Sequence, residues 1–203
     1  MTTPLQTPTT GPVEAVPEAA GEAEAVSRFP SQILLIVLVI LLIFGGTYAF
    51  AWYNANQLAT RFMKDADASY DSGKYLEALV GTQEFDPQTN QYVKHGGYLD
   101  VEKIWSGSYS WPYPSSLQKA RQRGQEIINQ RLTVADAEQY IQANIGKPAP
   151  YFGEIYLRLG ELYQQEGDTA DALDVYKSMA DLFPNRPDLI QQAQKHLAQL
   201  ESK

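Results

Sequence analysis

An uncharged apolar run near the start of the chain constrains this protein more than any other feature. Residues 33–51, ILLIVLVILLIFGGTYAFA, contain no Asp, Glu, Lys or Arg. As a helix, these 19 residues extend about 28 Å, close to the thickness of the hydrocarbon layer of a bilayer. Phe29 precedes the run, and Trp52 and Tyr53 follow it, as aromatic residues commonly do at membrane interfaces. The run predicts a transmembrane helix over residues 30–53.

The segment before the run predicts a disordered tail over residues 1–29. It is acidic and rich in Pro, Ala, Thr and Glu. It therefore has too little apolar surface to offset the entropy lost on ordering. A cleaved signal peptide is the alternative, because AFA at 49–51 has small residues where cleavage occurs. The acidic tail and the length of the apolar run favour an uncleaved anchor.

The orientation of the helix in the membrane has two conflicting indications. Arg28 precedes the run, whereas Arg61 and Lys64 follow it, which favours a cytoplasmic C-terminal domain by one charge. A short tail, an anchor and a larger following domain are typical of exported bacterial domains. We expect the C-terminal domain on the extracytoplasmic side of the membrane.

The clearest helical pattern after the anchor is a 34-residue segment over residues 153–186. Apolar and small residues recur at helical spacing on each side of the turn EGDT, and a proline ends the second helix. These residues are Tyr156, Leu159, Gly160, Tyr163, Ala172, Tyr176, Ala180 and Pro184. The segment predicts two antiparallel helices, and the small residues Gly160 and Ala172 allow them to cross closely.

This segment resembles a tetratricopeptide repeat (TPR), with Tyr156 at the position where that family most often has tryptophan. The resemblance implies an all-α fold in which helical hairpins stack into a solenoid with a concave groove. It covers residues 153–186 fully. Residues 69–79, SYDSGKYLEAL, align in part with residues 163–173, and extend the resemblance to an interrupted array.

We therefore expect a TPR-like, all-α domain over residues 54–203, without convincing strand alternation in the sequence. Its predicted parts are a partial repeat at 59–90, an irregular aromatic-rich insertion at 91–115, helices over 116–146, the full repeat at 153–186 and a capping helix at 187–203.

The TPR resemblance also implies which residues of the full repeat face the groove and bind a partner. They are Glu154, Leu157, Arg158, Glu161, Gln164 and Gln165. Two of these are glutamates, which would repel a carboxylate, so a neutral or basic ligand fits better. The alternative is that these side chains are only solvated.

The insertion contains the aromatic segment IWSGSYSWPYP at residues 104–114. Trp105 shares a helical face with Tyr98, so we assign it to packing. Tyr109, Trp111 and Tyr113 form a candidate aromatic patch, which either fills the protein's own groove or faces a partner. We favour self-packing, and the burial of Trp111 decides between the two.

Composition and motifs limit the chemistry that this chain can perform. The net charge of −8 without a basic run argues against a nucleic-acid binder, and the absence of cysteine removes disulfides and thiol nucleophiles. His95 and His196 are far apart in sequence, and no phosphate-binding loop or zinc-protease motif is present. We predict no catalytic residues, no metal site, no cofactor and no enzymatic activity.

These expectations combine into a membrane-tethered adaptor that recruits or holds protein partners at the membrane, as TPR domains do. The chain would be a single-pass membrane protein, alone or in a homo- or hetero-oligomer. The alternatives are a small structural subunit of a larger membrane complex and, less favoured, an enzyme of unrecognised type.

Overall fold

The apolar run forms the first part of one long helix. A computed structural model describes residues 31–107 and 110–202; the predicted tail at 1–29 lies outside them. Helix α1 spans Ser31–Asp71, 41 residues, and contains a window of mean hydropathy 2.8 in which no side chain is buried against protein. It is long and apolar enough to cross a membrane. The predicted apolar helix is confirmed to that extent.

The chain divides into two compact units, Met1–Gly45 and Gly46–Lys203. In the second unit, α1 changes from an apolar to an amphipathic helix. Its buried residues Ala59, Met63 and Ala66 lie at intervals of four and three, the spacing of one helical face. This part of α1 therefore contributes to the core of the folded domain.

The domain is mostly helical. After α1 come α2 (Tyr75–Val80), α3 (Tyr98–Ile104), α4 (Ser115–Glu126) with a π-helical turn (Ile127–Arg131), α5 (Val134–Asn144), α6 (Phe152–Glu166), α7 (Thr169–Leu182) and α8 (Pro187–Glu201). The all-α class is confirmed by this content, whereas the solenoid remains a prediction.

A β-hairpin lies between α2 and α3, where no strand was predicted. Strand β1 (Thr82–Asp86) pairs antiparallel with β2 (Gln91–His95), and Phe85 lies opposite Tyr92. Neither strand contains a buried residue. Strand prediction relies on alternation between buried and solvated positions, and a hairpin that is solvated on both faces lacks it.

The turn of this hairpin carries the local signal that was missed. The Asp86 carboxylate accepts hydrogen bonds from the Gln88 amide and the Thr89 hydroxyl, each at 2.8 Å. Asn90 adopts a left-handed conformation with φ 53°. Asp and Asn are the residues that tolerate such turns. The insertion predicted to be irregular at 91–115 thus contains β2 and α3.

Helices α6 and α7 form the hairpin predicted for residues 153–186. Gly167, at φ 87°, joins them, and the Asp168 carboxylate caps α7 by accepting from the Asp171 amide. A Cβ atom at Gly160 would lie 2.7 Å from the Tyr176 ring, so only glycine permits this crossing. Leu159, Ala172 and Tyr176 are buried as expected, while Tyr156 and Tyr163 are half-buried and Pro184 follows α7.

One predicted packing residue of this hairpin is wrong. Ala180 is exposed, and Met179 lies fully buried in its place. Starting from Ala172, the buried positions of α7 include Val175, Tyr176 and Met179, which are three, four and seven residues on. At 3.6 residues per turn, the seventh position returns to the starting face and the eighth lies well to one side of it.

Candidate functional site

The groove face implied by the TPR resemblance is largely engaged in contacts within the domain. The Leu157 side chain is 4% exposed, so its assignment to the groove is wrong. Arg186 donates to Glu154 at 2.9 Å, and Tyr176 donates to Gln164 at 3.0 Å. Of the six predicted residues, Gln165 alone is exposed.

The charged centre of that face pairs internally as well. Arg158 Nη1 lies 2.7 Å from Glu161 Oε2, and His196 Nε2 of α8 lies 3.4 Å from Glu161 Oε1. Helix α8 packs against α6 and α7, and its His196 reaches this face. A ligand on this face would have to displace these contacts.

The predicted aromatic patch is placed differently from the self-packing that we expected. Trp111 is 71% exposed and Tyr113 is 53% exposed, whereas Tyr109 lies outside the described residues. Trp105 is 2% exposed and packs against Trp52, with 5.6 Å between ring centroids, as its helical face predicted. The segment is held by its backbone: Trp52 donates to the Pro112 carbonyl at 3.0 Å.

A cleft on another part of the domain has the dimensions of a ligand site. It has a volume of about 530 Å³, within the range of small-ligand and peptide-side-chain sites. It lies among the end of α2, helices α3, α4 and α5, and the connection from α5 to α6. Its lining includes Val80, Leu99, Asp100, Glu102, Lys103, Ser106, Arg121, Tyr140, Asn144, Pro148 and Pro150.

Glu102 is the central polar residue of the cleft. The Tyr151 hydroxyl donates to its Oε2 at 2.9 Å, and Arg121 Nε lies 3.7 Å from the same oxygen. Its other oxygen, Oε1, is buried and has no hydrogen-bond partner among the described residues. Burial raises the pKa of the Glu102 carboxyl, and this effect exceeds the lowering by Tyr151 and Arg121.

Two tyrosines hold the wall of the cleft that precedes α6. Tyr140 donates its hydroxyl to the Pro150 carbonyl, and Tyr151 adopts a left-handed conformation with φ 58°. This conformation is unfavourable for an aromatic residue, and the hydrogen bond to Glu102 contributes to holding it. Burial raises the pKa of both Tyr140 and Tyr151 to about 12, so both hydroxyls stay protonated donors at neutral pH.

The rim of the cleft carries cationic side chains that have few close contacts with acidic groups. Most cationic residues near Arg121 in the sequence have a close acidic partner. The distances are 2.7 Å for Lys119, 2.9 Å for Arg123 and 3.2 Å for Arg131. Arg121 has its carboxylate contact at 3.7 Å and remains exposed. Lys103 is exposed beside it, while Asp100 is paired with Lys94 at 2.5 Å. The cleft therefore combines an apolar wall with two available positive charges.

Sequence reasoning missed this cleft because its residues are distant in the chain. Glu102 and Tyr151 are separated by 49 positions. The segment GKPAP at 146–150 falls between the predicted helices and the predicted repeat, and no site was predicted there. The one local signal was the pair of prolines at 148 and 150, which stiffen a connection.

Metal chemistry has no assembled ligand set in the part of the chain that the structure describes. Across residues 31–107 and 110–202, no group of three or more His, Asp or Glu side chains is arranged to hold a metal ion. Comparison with models of protein families, with curated proteins and with solved structures found no match to this chain.

Proposed function

We propose that this protein is a membrane-tethered, non-enzymatic adaptor that holds a partner protein at the membrane through the cleft beside Glu102. The observation that carries the proposal is the cleft itself, which lies in a helical domain that continues directly from an apolar, membrane-length helix. An anchored domain with an open cleft is suited to recruitment.

The chemistry of the cleft indicates what part of a partner it would bind. Leu99, Tyr140 and Pro148 offer apolar contact, while Arg121 and Lys103 offer positive charge at the rim. A partner segment with one apolar side chain next to a carboxylate fits this arrangement. This differs from the neutral or basic ligand expected for the α6 face.

The proposal keeps a TPR-like arrangement for the C-terminal helices. Support comes from the lengths of α6 and α7, 15 and 14 residues, and from the glycine turn between them. Contacts between successive helices from α5 to α8 also support it. We place the binding surface at the cleft and not at the predicted α6 face, because α8 contacts the α6 face.

A non-enzymatic role is supported by the pairing of the cleft's acidic groups. Asp100 pairs with Lys94, and Glu102 accepts from Tyr151. A general acid or base must contact the reacting group of a substrate, and these contacts suit orientation of the cleft walls instead.

Site-specific photocrosslinking in cells tests the adaptor proposal. A photoreactive residue at Lys103, exposed at the rim, is compared with one at Lys177, exposed on α7. We expect a discrete crosslinked partner from position 103 and none from position 177. Arg121→Glu should abolish the crosslink by charge reversal, whereas Lys177→Glu should leave it unchanged. Equal crosslinking from both positions, or insensitivity to Arg121→Glu, would contradict the cleft as the binding site.

A structural subunit is the second candidate, favoured by the exposed aromatic pair of the hairpin. Phe85 is 51% exposed and Tyr92 is 72% exposed, with their ring centroids 5.3 Å apart. A permanent neighbour would cover such a pair. Extraction in mild detergent followed by mass measurement distinguishes the candidates: a stoichiometric, salt-resistant assembly favours the subunit, and varied substoichiometric partners favour the adaptor.

We also propose an extracytoplasmic domain. Because the chain has no cysteine, a single Gln194→Cys variant on exposed α8 can be labelled selectively. A membrane-impermeant thiol reagent should label it in intact cells. Labelling only after permeabilisation would place the domain in the cytoplasm.

A further inference from the structure

The aromatic segment after α3 returns to the part of α1 where the apolar run ends. The Tyr48 hydroxyl donates to the Trp111 carbonyl, and the Trp52 indole donates to the Pro112 carbonyl at 3.0 Å. Trp105 packs on Trp52 at the start of the same segment. These contacts bind residues about 60 positions apart in sequence to one turn of helix.

These contacts lie where the apolar run of α1 ends. Tyr48 belongs to the apolar run, and it lies three residues before Ala51, about 4.5 Å along the helix axis. Helical side chains lean toward the N-terminus of their helix, which here is the direction into the apolar run. The Trp111 backbone is therefore held at the level where α1 is still apolar.

The side chains at this level are large, aromatic and uncovered. Trp111 is 71% exposed and Tyr113 is 53% exposed. Tryptophan and tyrosine are enriched at the boundary between lipid and water, where the ring meets apolar groups and the N–H or O–H meets polar ones. Tyr53, next to Trp52 on α1, is exposed as well.

An apolar cavity lies next to these contacts, at the end of the apolar run. It has a volume of about 290 Å³ and is lined by residues that include Tyr48, Ala51, Trp52, Ile104 and Trp105. Two of these belong to the apolar run. A bilayer that surrounds the apolar run would supply lipid at this cavity.

We propose that residues 110–114 form a second membrane contact, with Trp111 and Tyr113 in the headgroup region of the bilayer that α1 enters. The inference rests on the proposed membrane anchoring. Two attachment points, one helix and one loop, restrict rotation of the domain about the α1 axis. The domain is then presented to partners in one orientation relative to the membrane surface.

Spin labelling of the full chain in phosphatidylcholine nanodiscs tests this contact. A label at Tyr113→Cys is compared with one at Gln194→Cys, an exposed site on α8, and neither has a competing thiol. We expect the label at 113 to collide more with oxygen and severalfold less with a water-soluble nickel chelate than the label at 194. Adding Trp111→Ala to Tyr113→Cys should raise nickel accessibility severalfold, because the loop loses its main apolar group.

A second measurement covers the case in which Tyr113→Cys perturbs the loop. Brominated lipids with bromine near the headgroup should quench the tryptophan fluorescence of the unmodified chain. Trp111→Phe should lose a part of that quenchable emission. Unchanged quenching in Trp111→Phe would overturn the proposal.

Failure of this inference is distinguishable from failure of the anchoring. If alkaline carbonate releases the full chain from membranes, α1 is not an anchor and both ideas fail. If the chain is retained while the label at 113 is as accessible to nickel as the label at 194, only the loop contact fails.

Discussion

The N-terminal and C-terminal regions of the helical domain are stabilised by different kinds of contact. From α5 to α8, each helix packs against the next one along the chain, and small residues set the close crossings. From α1 to α4, tyrosine and carboxylate side chains connect residues far apart in sequence. Tyr98 donates to Asp67 at 2.7 Å, and Tyr70 donates to Glu126.

This difference explains where binding sites can form. In the α5–α8 region, one face of α6 is occupied by contacts within the domain, because Arg186 pairs with Glu154 and His196 of α8 contacts Glu161. In the α1–α4 region, contacts between residues far apart in sequence leave an exposed aromatic loop, and the cleft lies where this region meets α5 and the α5–α6 connection. Both proposed surfaces thus involve the α1–α4 region.

The largest effect is expected from replacing Trp105, a buried aromatic residue of the α1–α4 region. Trp105→Ala removes a side chain that is 2% exposed and packs on Trp52. We expect a loss of about 3–5 kcal/mol in the free energy of unfolding, because a large cavity remains. Trp111→Ala, at a 71% exposed position, is the matched control and should change stability by less than about 0.5 kcal/mol. Denaturant unfolding in detergent measures both.

Overpacking the α5–α8 region should have the next largest effect. In Gly160→Leu, the new Cβ alone would lie 2.7 Å from Tyr176 Cε1 and 2.9 Å from Val175 Cγ1. We expect a destabilisation of about 2–3 kcal/mol, visible as a lower melting temperature. Ala180→Leu, on the same hairpin but exposed, is the control. A larger loss of stability in Ala180→Leu than in Gly160→Leu would show that Ala180 does lie at the helix crossing.

Removing one long-range hydroxyl tests the polar contacts of the α1–α4 region. Tyr98 is fully buried, and Tyr98→Phe deletes its hydrogen bond to Asp67 while keeping the ring. We expect a loss of about 1.5 kcal/mol, the size typical of a hydrogen bond to a charged group. Tyr92→Phe, on the exposed hairpin, should have no measurable effect. An unchanged Tyr98→Phe variant would mean that apolar packing alone holds this region.

The smallest effect concerns the pH dependence of stability. Burial raises the pKa of Glu102 in the folded state, so folding favours its protonated form. Stability from this group therefore falls as pH rises from its ordinary value of 4.5 through the raised pKa. Glu102→Gln removes that dependence, and its stability relative to the native chain should increase with pH in that window. Urea unfolding at several pH values measures the slope. A constant difference between the two proteins would contradict a raised pKa.

Local patterns predicted some features well, and each had a physical basis within a few residues. The end of the α6–α7 hairpin is an example: Pro184 follows α7, as the sequence pattern indicates. The turn at Gly167 and the close crossing at Gly160 were also local signals. The hairpin at 82–95 was missed because its strands have no buried face, and the cleft because no short spacing relates Glu102 to Tyr151.

By itself, the sequence determined the elements whose causes are local. These are the apolar helix, from its uncharged length; the mostly helical domain, from its 3.6-residue periodicity; and the α6–α7 hairpin, from its small residues and glycine turn. Only the tertiary structure decided that Leu157 is buried and that Trp111 lies uncovered beside Tyr48. Those outcomes depend on which helices pack together and on which distant donors meet which carbonyls. Such contacts join residues far apart in the chain, and no periodicity in the sequence encodes them.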